Sequence, residues 1–111
     1  MRETVSKLEK YLCSVESYFI NCSETNITFK LTPNKWSKKE ILGHLIDSGI
    51  HNYQRFTEIQ FEDKPFVIKP YNQNKLVVVN DYHNANIYEL IGLWLSINRR
   101  IIRILKLQTV N

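Results

Sequence analysis

Apolar residues recur along the chain in three helical runs. In the first, Val5, Leu8, Leu12, Val15 and Phe19 are three and four residues apart, while Lys7, Glu9, Lys10 and Glu16 fall off that line. The spacing predicts an amphipathic helix over about Glu3 to Phe19. The segment Asn21 to Lys35 is rich in Asn, Ser and Thr and holds Pro33, so it predicts a connection. The second run opens on Ser37, with Glu40 three residues later. That pairing is a capping box, in which each residue satisfies an orphan amide of the other at a helix start. Trp36, just before the cap, is placed to staple against Ile41. Leu42, Leu45, Ile46, Gly49, Tyr53 and Phe56 then form one broad apolar side, and the helix is expected to end near Phe61.

Periodicity fades between Glu62 and His83. Pro65 and Pro70 break helix, and Asn72, Asn74 and Asn80 suggest turns. Leu76 to Val79 reads as a short strand or one helical turn, and no second strand is in sight to pair with it. The expectation is a long crossover loop with one short ordered piece. The third run is the most regular. Asn86 and Glu89 mark its start, and Ile87, Leu90, Trp94, Ile97, Ile101 and Ile104 follow by threes and fours. Ile91, Leu95, Ile102 and Leu105 add a second apolar row. A face this wide exceeds what one neighbouring helix covers. The helix either lies deep in a bundle or leaves a patch for a partner.

Composition narrows the class. The chain has 111 residues, room for a single domain over 1–111, and its 43% hydrophobic and 23% charged residues are those of a globular protein. Three glycines and three prolines suit a few long helices better than many strands joined by tight turns. The net charge of +4 is spread out, with Arg99, Arg100, Arg103 and Lys106 gathered late. No nucleic-acid reader motif accompanies it, so no nucleic-acid partner is expected. Cys13 and Cys22 would lie on nearly opposite sides of one helix, which argues against a disulfide between them. No apolar signal core and no bilayer-length stretch are present. The expectation is a reduced, cytoplasmic protein with no membrane association.

Candidate chemistry sits on the second helix. At 100° per residue His44, Ser48, His51 and Arg55 share a narrow sector, with Asp47 at its edge. Such a stripe can line a bundle cavity and present imidazoles to a metal. Glu40 and Glu58 share the sector, and spacing alone favours a solvated face. His44 and His51 stand about 10.5 Å apart along the axis, too far to chelate one ion as an i, i+4 pair does. His83 falls in the crossover and reads as a surface or capping histidine. No Ser-His-Asp or Cys-His arrangement is legible, and no phosphate-binding glycine loop. Trp36 and Trp94 read as core or staple residues. The late arginines read as a solvated helix end.

The run Trp36-Ser37-Lys38-Lys39-Glu40-Ile41-Leu42-Gly43-His44-Leu45-Ile46-Asp47 resembles the signature second helix of the DinB/YfiT-like superfamily. Asn52-Tyr53-Gln54-Arg55-Phe56 fits the same pattern, as does Pro70-Tyr71-Asn72-Gln73 ahead of a long helix containing Trp94. The likeness covers about Thr32 to Leu105. It implies an all-α, up-down-down-up four-helix bundle with a long crossover between the second and third helices. It also implies a divalent metal, nickel or zinc, held by three histidines, of which His44 matches the one on the second helix. The other two belong to a fourth helix, as a His-x-x-x-His pair. Thiol-dependent S-transferases and a thiol-dependent isomerase are among the family's activities, so a small-molecule or thiol substrate is implied.

Three helices are expected, and the sequence up to Asn111 contains no such pair. The expectation is a truncated DinB-like domain that keeps His44 as its residual metal ligand and is inactive as a single chain. The rival expectation is a non-catalytic helical module that forms a homodimer through the apolar face of the third helix.

Overall fold

Caps set the helix boundaries in the computed structural model, which describes residues 2–61 and 70–109. Helix α1 spans Arg2–Ile20, and a short α2 spans Glu24–Thr28. Helix α3 spans Lys38–Glu58, α4 spans Gln73–Val79, and α5 spans Ile87–Thr109, with a 3-10 turn at Tyr82–Asn84 between the last two. The expected capping box is formed. The Ser37 amide donates to Glu40 Oε1 at 3.0 Å, and the Glu40 amide donates to Ser37 Oγ at 3.2 Å. At α5, Asn86 Oδ1 accepts from the amides of Tyr88 and Glu89, as the start signal suggested.

The all-helical class holds, and no strand occurs among the described residues. The two connections are more ordered than the sequence implies. Ser23 caps α2 by accepting from the Asn26 amide, and Asn72 caps α4 by accepting from the Lys75 amide. Leu76 to Val79 is therefore helical, and the strand alternative is set aside. Helix α3 ends at Glu58, with turn hydrogen bonds carrying the chain to Phe61. The expected crossover residues 62–69 lie outside the described residues.

The polar ties fix helix directions. Lys39 Nζ reaches the Ala85 carbonyl, which puts the starts of α3 and α5 together. Lys38 lies over the Tyr18 ring, which puts the end of α1 beside them. At the far end Lys106 pairs with Glu9. The parallel helices α3 and α5 thus run opposite to α1. Both α1 and α3 pack on α5 and make little contact with one another. This settles the open question about α5. Ile87, Leu90, Ile91, Trp94, Leu95, Ile101 and Ile102 are all buried, covered from two sides within one chain. Leu42 and Ile46 of α3 and Val5, Leu12 and Phe19 of α1 complete the core.

Candidate functional site

From its start to His51 the polar side of α3 meets Lys30, which follows α2, residues flanking α4, and the 3-10 turn. Three groupings occur in order from the helix start. In the first, Ser37 and Glu40 are buried beneath Lys30 and His83. Lys30 Nζ lies 2.9 Å from Glu40 Oε1, and His83 Nδ1 lies 3.0 Å from Ser37 Oγ and 3.8 Å from Glu40 Oε1. Burial pushes the Glu40 carboxyl up, but the Ser37 amide, the Lys30 ammonium and His83 outweigh it and hold the group below its ordinary range. Beside them Lys39, only 3% exposed, donates to Glu24 Oε1 at 2.9 Å and to the Ala85 carbonyl at 2.7 Å. Its buried charge is matched by a carboxylate and a carbonyl, the condition for tolerating an ammonium out of water.

The second grouping surrounds Asp47, which is 3% exposed. Tyr82 donates its hydroxyl to Asp47 Oδ1 at 2.6 Å, and Asn80 Nδ2 approaches the same oxygen at 3.4 Å. Burial, then the bond to Asp47 and its charge, raise the Tyr82 phenol far above its ordinary range, so it stays a donor. The Tyr82 ring lies against the backbone of Gly43. A Cβ there would stand 2.1 Å from Cδ2 of the ring. Glycine is thus required by a close approach, since Gly43 has an ordinary helical conformation.

The third grouping holds His51. Its Nδ1 lies 2.8 Å from the Asp47 carbonyl, which can only accept, so Nδ1 carries the proton. Its ring stacks on Tyr71, with centroids 3.9 Å apart and planes inclined by 15°. The Tyr71 hydroxyl in turn lies 2.8 Å from Ser48 Oγ.

His44 is placed between these groupings, half-buried, with Trp36 against it at 5.1 Å between ring centroids. Ile41, expected to staple with Trp36, is 44% exposed. The Nδ1 of His44 and the Oδ2 of Asp47 are buried atoms without a hydrogen-bond partner among the described residues. The three histidines are not brought to one point. No three His, Cys, Asp or Glu side chains among the described residues form a group able to hold a metal ion. No described residue joins His44 to complete a three-histidine centre.

Sequence reasoning found His44, Ser48, His51 and Asp47 but not what holds them. The Asp47–Tyr82 bond spans the crossover, and helical spacing carries no information about such pairs. Gly43 inside an otherwise helical pattern was the available signal of close approach. Comparison with known proteins returned no match, whether to a family model, a curated protein or a solved structure. Among the described residues no helix is long and apolar enough to cross a membrane.

Proposed function

We propose that this chain is a DinB-like helical domain that presents one metal-ligand position, His44, and has no thiol-transferase or hydrolase activity alone. The carrying observation is the buried Nδ1 of His44, which has no hydrogen-bond partner among the described residues. At His51 and His83 the Nδ1 atoms are committed to the Asp47 carbonyl and to Ser37 Oγ. Support for the fold half of the reading comes from the opposed α1 and the parallel α3 and α5. The family arrangement implies these directions for its first three long helices. A single imidazole binds a divalent ion weakly, because tight centres need three or four protein donors. A thiol substrate would need further donors to bring its sulfur to such an ion.

Calorimetric titration with nickel and zinc tests both halves of the site claim. Weak binding that disappears in His44→Ala is expected. Tight one-to-one binding by the monomer overturns the incomplete site, and binding unaffected by His44→Ala overturns the ligand assignment.

Self-association remains a second reading, carried by different residues from those first expected. The apolar face of α5 is covered, whereas Ile50, Tyr53 and Phe56 on α3 and Ile59 and Phe61 after it are between 36% and 67% exposed. Sedimentation across a concentration series tests this. A dimer dissociated by Phe56→Glu supports it, and a monomer at every concentration removes it.

A further inference from the structure

A second concave site lies on the opposite flank of α5, along its seam with α1, and involves none of the α3 residues. It encloses a cavity of about 380 Å³. Small-molecule sites begin at roughly this size, about 300 Å³. Its floor is apolar, made by Leu12 of α1 and Leu95 and Ile102 of α5, all buried. Its rim is charged. Lys106 and Glu9 lie 3.2 Å apart and satisfy each other. Arg99 and Arg103, one helical turn apart, also line the cavity and form no ion pair among the described residues. Among the described residues Glu16 is the one other lining carboxylate, and it forms an ion pair with neither. Among the described residues two guanidinium groups without an ion-pair partner therefore stand above an apolar floor against a single carboxylate. A guanidinium presents its donors in a planar fork that matches the two oxygens of a carboxylate or phosphate. An apolar floor beneath such forks is complementary to a molecule with an apolar body and an anionic head.

We propose that this cavity binds a small amphiphilic anion. Its alkyl or aryl body would rest on Leu12, Leu95 and Ile102, and its carboxylate or phosphate head would bridge Arg99 and Arg103. The site is independent of the His44 reading and stands whether or not that reading does. Titration with decanoate and decyl phosphate, each below its micelle concentration, tests it, with decanol and decyltrimethylammonium as controls. Saturable one-to-one binding of at least one anion is expected, and the tighter head identifies the source. The Arg99→Gln, Arg103→Gln double variant, checked for native helicity, should bind at least about tenfold more weakly. Arg100→Gln, which does not line the cavity, should bind as the parent does. Cys13, an exposed free thiol on the cavity wall, supplies a second measurement. Bound anion should slow its alkylation by iodoacetamide and leave Cys22 unaffected. Equal binding of the alcohol or the cation, unchanged affinity in the double variant, or no saturable binding overturns the proposal.

Discussion

Two glycines on long helices separate packing from propensity. At Gly43 an added Cβ meets the Tyr82 ring, while at Gly92 it meets nothing within 4 Å. Gly43→Ala must displace the ring, and with it the bond to Asp47, so it should destabilise the fold by about 3 kcal/mol. Gly92→Ala should stabilise it by about 1 kcal/mol, since only helix propensity changes. Urea denaturation of the two variants checks both signs. Tyr82→Phe keeps the ring but leaves Asp47 Oδ1 with Asn80 alone, and a loss of about 2 kcal/mol is expected by the same measurement. The sequence made Asp47 and Gly43 visible only as members of a helix. What they need from Tyr82 depends on how the crossover returns, and no local spacing encodes that path.

At the scale of elements, the start of α3 gathers partners from several segments. Its cap was fully legible, because Ser37 and Glu40 interact over three residues. Lys30, His83, Glu24 and Ala85 reach the same place from other segments, the last two through Lys39, and nothing in the local pattern announced these contacts. The unexpected helix α2, and α4, expected only as a short strand or one helical turn, have the same explanation. Each is shorter than two turns or close to it, too short for an apolar period to register, and each depends on one cap and one buried side chain, Ile27 and Val77. The cap should also confer pH dependence. Glu40 titrates below its ordinary value near 4.5 in the folded chain, so its ionised form stabilises the fold. That contribution is complete above about pH 5 and is lost as pH falls through the lowered folded value. Chemical denaturation between pH 3 and about 6 should therefore show a steeper loss of stability for the parent than for Glu40→Gln.

For the whole molecule, α5 is the shared wall. Helix α3 is fastened to it and its approach through Tyr82–Asp47, Lys39–Ala85, Ser37–His83 and the close contact of Gly49 with Ile97. Helix α1 meets it through one apolar seam, the Tyr11–Trp94 ring contact and the exposed Glu9–Lys106 pair. Amide hydrogen exchange should accordingly release α1 before the centres of α3 and α5. Simultaneous exchange of all three helices would contradict that order. The wide apolar face of α5 was plain in the sequence, but two neighbours and an outside partner predict the same pattern, and only the packing decides between them. Parallel neighbours also carry a consequence for how the chain can be divided. The end of α3 lies about 30 Å from the start of α5, the length of α3 itself. The four ties just named join residues before 62 to residues after 69. Two separately expressed pieces, divided between α3 and α4, would meet across that whole interface. Mixed together, they should regain the helicity and Trp94 fluorescence of the uncut chain, a protein complementing itself in trans.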